Sequence, residues 1–146
     1  MRTKEAELIK KYSACCIDTS DGVFNALGTI SEVSRTGFVV DNLPYVKSGL
    51  LLAKTLNLPK EMLFLGECGE YELLFTLSKE REEEFHRAAR EQKLTFYKLG
   101  EVREQGLQSL RGREREIDLS TYTLRARDYT NPKDYLRNVL DFLTRP

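Results

Sequence analysis

A polar stretch, Asp18-Thr-Ser-Asp-Gly22, separates a short apolar segment from a helical pattern, and this succession most constrains the fold. Residues 14–17 are apolar and predict a short buried strand. Apolar residues then recur at intervals of three and four, as one face of a helix requires: Val23, Leu27, Ile30 and Val33. The sequence therefore predicts a strand, a tight polar connection and a helix, in that order.

The rest of the chain repeats this alternation. Further strands are predicted at residues 37–41, 71–77 and 94–102, and Gly37 is expected to cap the helix before the first of them. Helices are predicted at 5–12, after Pro44, at 79–92 and after Asn131. The helix after Pro44 presents an apolar face made of Val46, Leu50, Ala53 and Leu56. The pattern predicts an α/β layered domain with a mixed sheet, and irregular lengths argue against a doubly wound nucleotide fold.

The composition of the chain limits the classes of partner that it is expected to bind. The 146 residues are enough for one domain, and 23 basic residues balance 23 acidic ones. With no excess of positive charge, neither nucleic acid nor an anionic membrane is indicated as a partner. The sequence holds no apolar run near the roughly 20 residues of a membrane span and starts without a secretory signal, so we expect a cytoplasmic protein.

The polar connection is suited to binding an anion. Thr19 or Ser20 is expected to cap the helix, Gly22 admits close approach to the backbone, and first-turn N–H groups favour phosphate oxygens. Asp18 and Asp21 have the wrong charge for phosphate, and two carboxylates about 4 Å apart repel by roughly 4 kcal/mol near a surface. A shared Mg²⁺ removes that cost. The alternative is a capped helix with no ligand.

Two stretches, Ile17-Asp-Thr-Ser-Asp-Gly-Val23 and Gly66-Glu-Cys-Gly-Glu-Tyr-Glu-Leu-Leu-Phe-Thr76, resemble the C-terminal half of thiamine-monophosphate kinases. Those kinases carry Asp-x-Ser-Asp-Gly-Leu and Gly-Gly-Glu-Asp-Tyr-Glu-Leu-Leu-Phe, and belong to the aminoimidazole ribonucleotide (AIR) synthase superfamily. Lys98-Leu-Gly-Glu-Val102 and Glu116-Ile-Asp-Leu119 resemble the closing strands. The likeness runs from about residue 14 to residue 129.

The resemblance implies a C-terminal domain of the AIR synthase type, partly ferredoxin-like, and ATP-dependent chemistry. By position, Asp18 and Asp21 are Mg²⁺ ligands, and Ser20 and Gly22 contact the nucleotide. We expect residues 1–146 to form one such domain, with a connector helix at 1–13 and a C-terminal helix at 131–146. The family's N-terminal domain, which completes the ATP site and forms the dimer, has no counterpart here, so we expect half an enzyme, inactive alone.

The substrate loop departs from the kinase pattern. The kinase sequence Gly-Gly-Glu-Asp reads here as Glu67-Cys-Gly-Glu70, so the family's substrate-contacting glutamate falls on Gly69. Glu70 is the candidate to replace it, and Tyr129 is the candidate for the family's aromatic contact. Three functions stay open: a kinase of a small phosphorylated metabolite, an ATP-dependent synthase with another acceptor, and a non-catalytic binding module.

Overall fold

The structure is a computed structural model that describes residues 3–67, 71–112 and 115–145. The helices are α1 Thr3–Tyr12, α2 Val23–Ser34, α3 Lys47–Thr55, α4 Met62–Leu65, α5 Lys79–Glu91 and α6 Pro132–Thr144. The strands are β1 Cys15–Asp18, β2 Gly37–Val40, β3 Leu73–Thr76, β4 Gly100–Arg103, β5 Gln108–Arg111 and β6 Glu116–Asp118. The α/β class is confirmed.

The described strands form two separate sheets. β1 and β3 pair antiparallel, with Cys15 opposite Thr76 and Asp18 opposite Leu73. The second sheet is mixed and has the order β4-β2-β5-β6, in which β2 and β5 are parallel. Its central strand β2 is buried on both faces, as its apolar sequence favours. The last residue of β1, Asp18, and the first residue of β3, Leu73, therefore lie side by side, close to the start of α2.

Two apolar clusters hold these layers. The larger one joins α2, α4, α6 and the mixed sheet through Phe24, Val40 and Val139. The smaller one packs α1 against α5 through Tyr12 and Phe85, and the two-stranded sheet contributes Phe75 to it. Burial of these large side chains supplies most of the favourable free energy of folding. α2 thus belongs to the larger cluster through Phe24, and β1 pairs with β3, whose Phe75 packs on the smaller one.

The predicted start of α6 is confirmed, whereas the predicted apolar face of α3 is largely exposed. α6 begins as expected, because the Asn131 side chain accepts the Lys133 N–H at 3.0 Å and Pro132 fills the first turn. In α3, by contrast, Ala53 is buried, whereas the residues that flank the helix, Val46 and Leu56, are 68% and 57% exposed. Periodicity identified the apolar face, but it carries no information on whether another element covers that face.

Several local predictions are wrong. Gly37 does not cap α2: Arg35 does, in the left-handed conformation, and Gly37 instead lets the carbonyls of Glu104 and Leu107 approach β2. The strand expected at 94–102 is confined to β4, since residues 94–99 form no strand and Leu94 packs on the smaller cluster.

Burial was also overestimated at two positions. β1 is half-exposed, because Cys16 faces solvent, and Val33 of α2 is 77% exposed. Within the described residues, no helix is long and apolar enough to cross a membrane.

Candidate functional site

The connection between β1 and α2 is a tight turn built from its own polar groups. The Ser20 N–H donates to Asp18 Oδ1 at 3.0 Å, and the Gly22 N–H donates to the Thr19 carbonyl at 2.9 Å. Such short-range bonds are typical of aspartate at a turn. They fix the Asp18 carboxylate at the end of the strand and leave the Ser20 and Asp21 side chains exposed.

The start of α2 differs from the prediction. Gly22 is the N-cap residue, in place of Thr19 or Ser20. Its φ of 93° and ψ of 154° lie in a region that only glycine adopts without strain. Gly22 therefore has a conformational role, in addition to the close approach predicted from its missing side chain. The helix dipole and the first-turn N–H groups point into this turn.

Thr19 ties the turn to the strand that follows the substrate loop. Its side chain is buried, and its hydroxyl accepts the Glu72 N–H at 3.0 Å. The Thr19 N–H donates to the Glu72 carbonyl, also at 3.0 Å. These bonds extend the β1–β3 pairing by one position and hold the end of the loop against the turn. Sequence reasoning gave Thr19 a capping role and missed this one.

Glu67 anchors the other end of the same loop. Its Oε1 accepts a hydrogen bond from Asn25 Nδ2 at 3.0 Å, and its Oε2 accepts the Ala126 N–H at 3.0 Å. Asn25 Nδ2 also donates to the Asp21 carbonyl at 2.7 Å. Arg125 Nη1 lies 3.9 Å from Glu67 Oε1. One carboxylate thus joins α2, the loop and the segment before α6.

Glu67 was not predicted as a site residue. The sequence feature that could have identified it is the difference from the kinase pattern, which has glycine at the position of Glu67. That difference was interpreted as a change in substrate recognition, whereas the described contacts give Glu67 a place in the scaffold of the site. Asn25 gave no signal, because an asparagine in a helical pattern is ordinary.

A shallow pocket of about 140 Å³ opens over the turn. It is lined by the turn and the first two turns of α2: Ile17, Asp18, Ser20, Asp21, Gly22, Asn25, Ala26 and Thr29. Asp18, Ser20, Asp21 and Gly22 thus line the same pocket. Hydrogen bonds from the Ser20 side chain and backbone lower the pKa of Asp18, so its carboxylate is ionised at neutral pH.

The donor set at this pocket fits Mg²⁺ only in part. Asp18 and Asp21 supply carboxylate oxygens, which Mg²⁺ prefers, and Mg²⁺ commonly takes one or two protein carboxylates and completes its shell with water and phosphate. Within residues 3–67, 71–112 and 115–145, no group of three or more acidic, histidine or cysteine side chains is placed to hold a metal. The site is therefore compatible with a metal that a nucleotide helps to bind.

Of the two predicted substrate residues, the structure places only Tyr129, which does not line the pocket. Glu70 lies outside the described residues. Tyr129 is half-buried against the larger cluster, and its ring centroid is 5.6 Å from that of Tyr135. Its segment follows the 3₁₀ turn Ala126–Asp128, which Glu67 fastens to α2 through Ala126. Tyr129 therefore packs against the larger cluster, three residues after Ala126, which Glu67 binds.

The chain was compared with protein-family models and with curated proteins. A family model described as AIR synthase related protein, C-terminal domain, matches residues 3–113. The chain belongs to this family. The match includes α1, which the sequence resemblance left out, and it ends before β6, whereas the resemblance was expected to reach about residue 129. A search of curated proteins found no match.

Solved structures agree with the AIR synthase related C-terminal domain. Thiamine-monophosphate kinase from Stenotrophomonas maltophilia is 22% identical with a TM-score of 0.64 over 76% of this chain. The kinase from Aquifex aeolicus is 24% identical, with a TM-score of 0.59 over 76% of this chain. A Thermus thermophilus protein gives 20% identity and a TM-score of 0.58 over 72%. These likenesses establish the fold. The matches span 34–36% of those chains, about a third of their length.

Proposed function

We propose that this AIR synthase related domain is one half of an ATP- and Mg²⁺-dependent phosphotransferase similar to thiamine-monophosphate kinase. The reaction would convert thiamine phosphate and ATP into thiamine diphosphate and ADP. The single observation that carries the proposal is the pocket at the β1–α2 turn, where two exposed carboxylates adjoin the N-terminus of a helix. An anion and a divalent cation together suit that arrangement.

Each residue of the turn has a role in this proposal. Asp18 and Asp21 would hold Mg²⁺ against the ATP phosphates, and the metal would supply charge neutralisation at the transferring phosphoryl group. Ser20 and the Gly22 backbone would contact the nucleotide. Hydrogen bonding to Ser20 lowers the pKa of Asp18 and so favours the ionised carboxylate, which is the form that would bind the metal. Phosphoryl transfer depends mainly on such positioning and charge.

The acceptor would approach from the loop between Glu67 and Glu72. Glu70 and Tyr129 remain our candidates for contacting it, on the resemblance alone. Its phosphate is already an anion and attacks without a general base, so no residue of this chain is assigned as catalytic. The Thr19–Glu72 and Asn25–Glu67 contacts support this placement, since they hold both ends of the loop against the nucleotide turn.

The remaining parts of the proposal concern a longer protein. The matched kinases are about three times as long as the region they share with this chain, which supports an N-terminal domain that completes the ATP site. We propose that the complete protein is a cytoplasmic homodimer and that this chain alone has no turnover. Its partners would be ATP, Mg²⁺ and a small phosphorylated metabolite.

A synthase of the same superfamily is the second candidate. The substrate loop favours it, because Gly69 stands where the kinase pattern has its substrate-contacting glutamate. A changed loop suits a changed acceptor, with ATP activating an amide or carbonyl oxygen. A non-catalytic binding module is the third candidate, and it predicts ligand binding without turnover by any form of the protein.

Product analysis separates the three. The polypeptide encoded by the natural gene is incubated with ATP, Mg²⁺ and a panel of acceptors that includes thiamine monophosphate, in parallel with its Asp21→Asn variant. A kinase gives thiamine diphosphate and ADP, and the variant loses most turnover while it stays folded. Orthophosphate without a phosphorylated acceptor indicates a synthase. Equal turnover by wild type and variant would remove Asp21 from the mechanism.

A further inference from the structure

The charges that line the pocket are all negative. Asp18 and Asp21 are its ionisable side chains, and among the described residues its lining includes no lysine, arginine or histidine. A phosphorylated acceptor would bring further negative charge beside ATP. Mg²⁺ offsets part of that charge at the nucleotide, and a cation beside the lining would favour binding of the acceptor phosphate.

Arg125 lies close enough to supply it. Its Nη1 is 3.9 Å from Glu67 Oε1, and that oxygen is 3.0 Å from Nδ2 of Asn25, which lines the pocket. The guanidinium nitrogen is therefore within about 7 Å of the pocket wall. The segment that carries Arg125 is fixed, because the next residue, Ala126, donates its N–H to the same glutamate at 3.0 Å.

The pair with Glu67 leaves the guanidinium able to bind a second anion. At 3.9 Å the two groups attract each other without forming a hydrogen bond, which needs about 2.7–3.2 Å. The Glu67 oxygens instead accept hydrogen bonds from Asn25 and Ala126. The Arg125 side chain is 35% exposed, so its planar set of donors is accessible to an anionic ligand.

We propose that Arg125 binds the phosphate group of the acceptor, and that Glu67 positions it to do so. The inference rests on the proposed function, because it assigns a residue to the acceptor side of that site. It predicts that a phosphate monoester is recognised and that the same molecule without its phosphate is not. Arginine is suited to this task, since its fork of N–H donors matches phosphate oxygens.

Ligand titrations followed by amide NMR test the assignment on this chain. Thiamine monophosphate is titrated into wild type, Arg125→Gln, Arg125→Lys and Arg127→Gln. Arg127 is a matched control because it is exposed and lies two residues further along. Thiamine serves as the phosphate-free ligand and Mg²⁺·ADP as the nucleotide. The spectrum of each variant, free of ligand, reports whether it is folded.

We expect Arg125→Gln to weaken thiamine monophosphate binding by roughly tenfold or more, the effect of losing a charge-assisted hydrogen bond. Arg125→Lys should fall between wild type and Arg125→Gln, and Arg127→Gln should bind as wild type does. Thiamine and Mg²⁺·ADP titrations should be the same for all four proteins.

Two results overturn the inference. One is equal thiamine monophosphate affinity for Arg125→Gln and Arg127→Gln, and the other is no binding of that ligand by wild type. In either case Mg²⁺·ADP binding that depends on Asp21 leaves the proposed function standing. Failure of nucleotide binding, with acceptor binding still dependent on Arg125, contradicts the proposed function and keeps Arg125 as a phosphate site.

Discussion

Thr19 and Glu72 bind each other in both directions: the Thr19 hydroxyl accepts the Glu72 N–H, and the Thr19 N–H donates to the Glu72 carbonyl, each at 3.0 Å. The two residues are 53 positions apart in the chain. Thr19 is 2% exposed, so water does not compete for these bonds. The pair makes the nucleotide turn and the end of the substrate loop one unit.

Replacing Thr19 with valine should therefore destabilise the domain. Valine keeps the shape but removes the hydroxyl that accepts the Glu72 N–H, and the loss of a buried partner costs about 1–3 kcal/mol. Urea unfolding of wild type, Thr19→Val and Thr19→Ser measures the effect. Thr19→Ser, which keeps the hydroxyl, should recover most of the loss. Equal stability of the valine variant and wild type would show that the side-chain bond contributes little.

The backbone of Gly22 gives a second prediction. Alanine at this position must adopt φ near 93°, which should destabilise the domain by about 1–3 kcal/mol. Gly28 is a matched control, since it lies inside α2 and a methyl group there meets open space. Gly28→Ala should stabilise the domain by about 0.5–1 kcal/mol, because alanine is the better helix former. Thermal unfolding of both variants checks the opposite signs. A stable Gly22→Ala variant would mean that the turn relaxes.

Local patterns predicted the strand, the turn and the helix at residues 15–34, and the four candidate residues of the turn, Asp18, Ser20, Asp21 and Gly22, line one pocket. These are short-range properties. The two anchors of the loop could not be predicted in this way. They join residues separated by 53 and 42 positions, and a hydrogen bond between distant segments leaves no periodic trace in the sequence.

Contacts between distant segments also explain why the burial of some apolar residues was predicted wrongly. Leu51 and Leu52 of α3 are 66% and 58% exposed although the segment is strongly apolar. Leu94 packs on the smaller cluster without forming a strand, because its partner surface is the α1–α5 pair and not a neighbouring strand. A pattern indicates which residues favour burial, whereas the arrangement of the elements decides which of them are buried.

The titration of Asp18 gives a third prediction. Hydrogen bonds from the Ser20 side chain and backbone hold its pKa below the ordinary value of 3.8. A lowered pKa means that the bonds favour folding above pH 3.8 and lose that effect as the pH falls through the folded-state value. Ser20→Ala should raise the pKa of Asp18 toward 3.8, because one of the two donors is lost. Carboxyl NMR titration measures the shift. An unchanged pKa would assign the effect to the backbone bond.

The C-terminal helix should be needed for folding although it lies beyond the family match. Leu143 of α6 is 1% exposed in the larger cluster, whereas Leu136 on the same helix is 49% exposed. Leu143→Ala should cost about 2–5 kcal/mol and Leu136→Ala less than about 1 kcal/mol. Denaturant unfolding compares the two. Equal costs would indicate that α6 is not docked as described.

The central claim is that the turn at Asp18 to Gly22 binds a nucleotide through Mg²⁺. The most direct measurement is an amide NMR titration of this chain with ADP, with and without Mg²⁺, repeated on Asp21→Asn. We predict saturable shifts at Ser20, Asp21 and Gly22 that require Mg²⁺ and weaken at least tenfold in the variant. Shifts that are absent, independent of Mg²⁺ or unchanged in Asp21→Asn would contradict the claim.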